Sequence, residues 1–75
     1  MKRVGTVVGT AQSIVVVRAE HEEHPRLGTA VVDEHLETVG RVVDVFGPVA
    51  RPYLAVTPRE EPLATLVGST LYSRT

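Results

Sequence analysis

Clusters of β-branched residues, each bounded by glycine or proline, recur from one end of the chain to the other, and no stretch free of both runs long at a period of 3.6. That pattern excludes a helical core and predicts an all-β protein. Six strands fit it: one around Val4–Val8 ending at Gly9, one over Ser13–Arg18 joined to it by a short turn, a short one in Thr29–Asp33, then Val39–Phe46, Tyr53–Thr57, and a last one around Gly68–Tyr72. The stretch Asp33–Thr38 (DEHLET) has no β-branched residue until its end and is expected to be a turn of helix or a loop, and the proline-bounded stretch Pro58–Pro62 is expected to be a loop. With 75 residues the chain makes one domain, residues 1–75, and cannot build two full sheets. A single sheet curled into a small closed barrel buries one face and removes the sticky edges. Gly40, inside the longest predicted strand, suits a sharp bend or bulge at a barrel corner. Val7 is expected to face the core.

A core this small yields about 3–5 kcal/mol at best, so chains of this size often carry staples or lean on partners. There is no cysteine, so disulfides, thiolate metal sites and a cysteine nucleophile are all excluded, and nothing favours an extracellular setting; a cytoplasmic location is expected. The N-terminal stretch is broken by Gly5 and Gly9 and lacks the apolar run of a signal peptide. The longest apolar run, Ile14–Val17, is far short of the ~20 residues a spanning helix needs. Eight Lys plus Arg against nine Asp plus Glu give a formal charge of −1, which exerts no overall pull on a polyanion. Apart from the adjacent Lys2 and Arg3, the cations are scattered singly along the sequence with no stripe, whereas the acids cluster at Glu20–Glu23 and Glu60–Glu61. Both acidic stretches read as solvated loops.

No catalytic, metal or cofactor constellation emerges. His21 and His24 lie three apart and His35 eleven further on, which is not the four-residue spacing with an intervening Glu that a zincin helix requires. The neighbouring pairs Glu22–Glu23 and Glu60–Glu61 lack the burial or partner that separates the pKa values of an acid and a base. Ser13, Ser69 and Ser73 have no nucleophile-elbow sequence around them. Gly5 and Gly9 lack the third glycine of a dinucleotide loop and the Lys-Ser/Thr of a P-loop. The chain is therefore not expected to be an enzyme, nor to hold a metal or cofactor.

The stretch GRVVDVFGPVARPY, Gly40–Tyr53, carries the most information. Asp44 is the only acid inside an apolar strand; counting by twos places it with Val42 and Phe46 on one face, opposite Arg41, Val43 and Val45. Such an Asp most simply accepts a hydrogen bond from a neighbouring amide, with an Arg or Lys of a partner as the alternative. Beyond it, Pro48 and Pro52 fix φ near −65°, remove two donors and push Gly47 and Arg51 toward extended conformations. The connection is stiff, and Val49 and Tyr53 place apolar surface on or beside it. It is either a plain turn that discourages edge pairing or an anchor for a protein contact.

VGRVVDVFGPVARPYLAV, preceded by VGTVV and GTAVVDEHLETVG and followed by LVGSTLY, resembles the archaeal-type Gar proteins of box H/ACA ribonucleoproteins, over nearly the whole chain. The Glu20–His24 loop carries none of the resemblance, and the Gly-Arg-rich tails of eukaryotic members are missing. The resemblance implies a six-stranded barrel similar to a domain of translation elongation factors. It also implies a non-catalytic accessory role in RNA-guided pseudouridylation of ribosomal RNA, in which the barrel binds a dyskerin-type pseudouridine synthase, meets the guide RNA only indirectly, and affects loading and release of substrate. Partner binding transfers to Val45, Gly47, Pro48, Val49, Pro52 and Tyr53, where sequence and motif coincide. The alternatives are a stand-alone RNA-binding barrel, with Phe46, Tyr53 and Tyr72 stacking on bases, and an assembly chaperone of the synthase.

Overall fold

The computed structural model describes residues 1–59 and 66–74. Six strands, β1 (Lys2–Ala11), β2 (Ile14–Ala19), β3 (Ala30–Val32), β4 (Thr38–Phe46), β5 (Tyr53–Pro58) and β6 (Thr70–Ser73), close into a barrel in the order β1-β2-β5-β4-β3-β6. Every pairing is antiparallel. The expected strands are all present, and the longest is β1, one residue longer than β4. Ser13 belongs to the first turn rather than to β2: Gln12 and Ser13 both have positive φ, 46° and 67°, the conformation that matches a two-residue turn to the twist of its strands.

DEHLET forms a turn rather than helix. Asp33 organises it, its Oδ1 accepting from the amides of His35 at 2.8 Å and Glu37 at 3.1 Å while its own amide donates to the Glu37 carbonyl at 3.0 Å. Short polar side chains hold loops this way because they can bond amides two and four residues on. The expected loop at Pro58–Pro62 lies largely outside the described residues.

The interior is almost entirely valine. Val4, Val7, Val15, Val17, Val31, Val42 and Val56, with Leu54 and Leu71, form the buried cluster, and Val39, Val45 and Leu66 pack against it. Valine suits this role because it has little rotamer freedom to lose and packs well on a pleated surface. Val7 is 1% exposed, as its strand position requires. Gly40 is needed for close approach: a Cβ there would overlap the carbonyl oxygen of Thr57 on β5. The bulge beside it falls on Val39, where the β3–β4 register slips between Val31 and Val32.

Because neighbouring strands all run antiparallel, one end of the barrel collects the start of β1, the connection 20–29 and the connection 47–52. The opposite end collects the turns at 12–13 and 33–37 and the exit from β5. Cations that are scattered in sequence gather accordingly. Lys2, Arg3, Arg18, Arg26 and Arg51 sit at or near the first end together with Glu20, Glu22 and Glu23, while Asp33, Glu34, Glu37 and Arg59 occupy the other.

Candidate functional site: the proline turn and the sheet face beside it

β4 and β5 part after the pair Phe46 and Tyr53. Gly47 then takes φ +88°, a left-handed conformation that costs an L-residue roughly 1–2 kcal/mol, and a Cβ there would come within 2.9 Å of Tyr53 Cδ2. The turn closes through the Arg51 amide donating to the Pro48 carbonyl at 3.2 Å. It is then fastened to the end of β2: the Ala19 amide donates to the Pro52 carbonyl at 2.9 Å, and Arg51 Nε donates to the Ala19 carbonyl at 3.2 Å. Two proline rings and two bonds to one alanine therefore make this a rigid feature of the surface.

The six residues singled out in sequence separate into two sets. Gly47, Pro48 and Val49 are exposed, Val49 by 81%, and Tyr53 is half-buried on the outer face. Val45 is half-buried, turned inward and packed against the core, and Pro52 is buried, so both present less surface than the turn itself. Phe46, 45% exposed, presents more apolar area than either.

The structure also alters the reading of β4. Its register against β5 slips between Val42 and Asp44, so Val43 bulges out and counting by twos fails beyond it. Val42 and Val45 face inward; Val43, Asp44 and Phe46 are all exposed. Asp44 accepts from the Val45 amide at 2.8 Å, the local role that a lone Asp in a strand was expected to play. A matching slip on β1, between Val7 and Gly9, turns Val8 out. Val8 and Val43 thus lie exposed on the outer face of β1-β2-β5-β4, flanking Val16 and Ala55, which pair with each other at its centre. No sequence pattern signalled either bulge.

In the adjacent row, Arg18, Tyr53 and Phe46 occupy successive strands. Phe46 stacks on Tyr53 with ring centroids 5.6 Å apart and planes 18° from parallel. From the other neighbouring strand the Arg18 guanidinium lies 4.5 Å from the Tyr53 ring centroid, and its Nη1 donates to the Tyr53 hydroxyl at 2.5 Å. Arg18 Nε is buried without an acceptor. Tyr53 is thus engaged by a neighbour on each adjoining strand, while Tyr72 lies apart on β6.

Among the described residues no group of His, Asp and Glu could hold a metal ion, and Glu22 and Glu23 are exposed. The pair Glu60–Glu61 lies outside the described residues. The fold and the site together define a small closed β-barrel with a rigid turn that exposes apolar side chains at one end.

The chain belongs to the family described as the Gar1/Naf1 RNA binding region, whose pattern matches residues 1–74. This is an RNA-binding accessory family, not a catalytic one. Similar proteins occur in methanogenic archaea. An uncharacterized protein of Methanocaldococcus jannaschii is 35% identical over 49 residues, 65% of this chain, and the match spans little more than half of that relative, 57%. An uncharacterized protein of Methanothermobacter thermautotrophicus is 29% identical over 76 residues, covering 96% of this chain and 82% of the relative. Family membership supplies the RNA connection that a net charge of −1 does not suggest.

Proposed function

We propose that this protein is a non-catalytic accessory subunit of a box H/ACA ribonucleoprotein, docked on its dyskerin-type pseudouridine synthase and promoting substrate loading and product release during modification of ribosomal RNA. One observation supports docking above the rest. Val49 and Phe46 stand exposed on and beside a turn that is already rigid, so burying them against a partner costs little ordering entropy. Large apolar groups on preorganised elements are the usual anchors of protein interfaces. The bulged Val8 and Val43 extend the same sheet face.

Stacking of bases on the aromatics is disfavoured by the engagement of Tyr53 with Arg18 and Phe46. Co-purification with the synthase tests the proposal directly. A one-to-one complex that survives nuclease treatment is the expected result; an association that disappears with the RNA rules out direct docking.

A further inference from the structure

The family is an RNA-binding one, yet the aromatics make a poor stacking platform, with Tyr53 engaged by Arg18 and Phe46 and Tyr72 apart on β6. The remaining chemistry for RNA is positive charge, and the fold brings Lys2, Arg3 and Arg26 together at one end, alongside Glu20, Glu22 and Glu23 of the same connection. At the barrel end that carries the connection 20–29, a cleft of about 440 Å³ opens between the start of β1 and that connection, lined among others by Lys2, Arg3, His21, His24, Arg26 and Thr29. Its volume lies in the range of sites that take small-molecule-sized ligands, roughly 300–1,000 Å³.

The charges in the cleft are not equivalent. Arg3 is engaged by Glu20, Nε to Oε1 at 2.6 Å, and that pair ties the wall of the cleft to β1. Lys2 and Arg26 make no ion pair or side-chain hydrogen bond among the described residues, and Glu23 is the one carboxylate lining the cleft beside them. The base of the connection is held in place: the Gly28 amide donates to the Val42 carbonyl at 2.7 Å, the Val42 amide to the Thr29 carbonyl at 3.0 Å, and Arg41 Nη1 to the Gly28 carbonyl at 3.1 Å. Two unpaired cations on a fixed frame, with hydroxyl and imidazole groups around them, match a phosphodiester better than an apolar ligand.

We propose that this cleft receives the phosphodiester backbone of an RNA strand, with Lys2 and Arg26 as its counter-charges. The proposal goes beyond synthase docking and uses different residues, so the two can fail separately. The test titrates the full chain, isotope-labelled on its amides, with a short single-stranded oligouridine at several salt concentrations. Amide shifts should concentrate at residues 2–4 and 21–29. A Lys2→Gln/Arg26→Gln variant should bind about tenfold more weakly at moderate salt, with the salt slope reduced by about 1.4, at about 0.7 for each single-strand phosphate that is no longer neutralised. Arg59→Gln, which removes a charge from the opposite end of the barrel, should keep wild-type affinity. The double variant should still co-purify with the synthase, and its amide spectrum should remain that of the folded barrel. Unchanged RNA affinity in the double variant, shifts centred on Phe46 and Tyr53, or no RNA binding by the wild type would each overturn the proposal. So would shifts produced by inorganic phosphate or an acidic peptide without any by oligouridine.

Discussion

Arg18 sets opposing contributions against each other within one side chain. Its contact with Tyr53 is worth up to about 2 kcal/mol as a cation–π pair and about 1 kcal/mol as a hydrogen bond, but a buried Nε without an acceptor costs about 1–3 kcal/mol. These contributions nearly cancel, so Arg18→Met, which keeps the stem over Tyr53, should leave urea stability within about 1 kcal/mol of wild type. If the synthase supplies a carbonyl or carboxylate to the exposed part of the guanidinium, the same variant should weaken docking at least about tenfold, since losing a hydrogen bond to or from a charged group costs about 1.5–3 kcal/mol. Calorimetric titration against the synthase reads that loss directly. Gly40 makes a contrasting case. A methyl group there runs into backbone on β5, which cannot swing aside, so Gly40→Ala should cost about 3 kcal/mol or more, at or above the upper end of overpacking. In a core of about 3–5 kcal/mol that should abolish the cooperative urea transition. Gly9→Ala is the control: nothing lies within 4 Å of a Cβ at that position, and no loss is expected.

At the scale of the element, the proline turn separates docking from folding. Val49 is 81% exposed and outside the core, so Val49→Asp should shift stability by no more than about 0.5 kcal/mol while weakening synthase binding at least tenfold. Pro52→Ala should behave differently, because Pro52 is buried and its carbonyl is bonded to Ala19; its effect belongs on the urea curve rather than the binding isotherm. Equal binding by wild type and Val49→Asp would remove the turn from the interface. The strands themselves were readable in sequence because β-branched runs between glycine and proline have few alternatives. The bulges at Val8 and Val43 were not, since an extra residue in a ladder depends on the neighbouring strand's register, and that information is non-local. The inward turn of Val45 follows from the same slip. The gathering of Lys2, Arg3 and Arg26 was hidden for a related reason: closure of β6 onto β1 and the path of the connection 20–29 bring together residues more than twenty positions apart.

For the molecule as a whole, the accessible surface is 4857 Å², and a standard interface takes about 800 Å² from each partner, about a sixth of it. A barrel that commits such a share to docking gains stability from its partner by mass action and influences the partner through that single contact. If it docks on a synthase as proposed, its route to faster modification would be to bias a mobile element of that partner between holding and releasing states, and product release limits many enzymes. Adding the protein to a particle that lacks it should therefore raise the multiple-turnover rate of guided pseudouridine formation. Single-turnover chemistry, with enzyme in excess over RNA, should change much less. Val49→Asp serves as the undocked control and should give no gain in either regime. The Lys2→Gln/Arg26→Gln variant divides the two surfaces, because it should still dock; a gain equal to wild type would show that release is governed from the synthase contact alone, and a reduced gain that the cleft also holds substrate or guide. An equal acceleration of both regimes by the wild-type protein would instead mean that the barrel aligns the active site, and acceleration of neither would sink the accessory role.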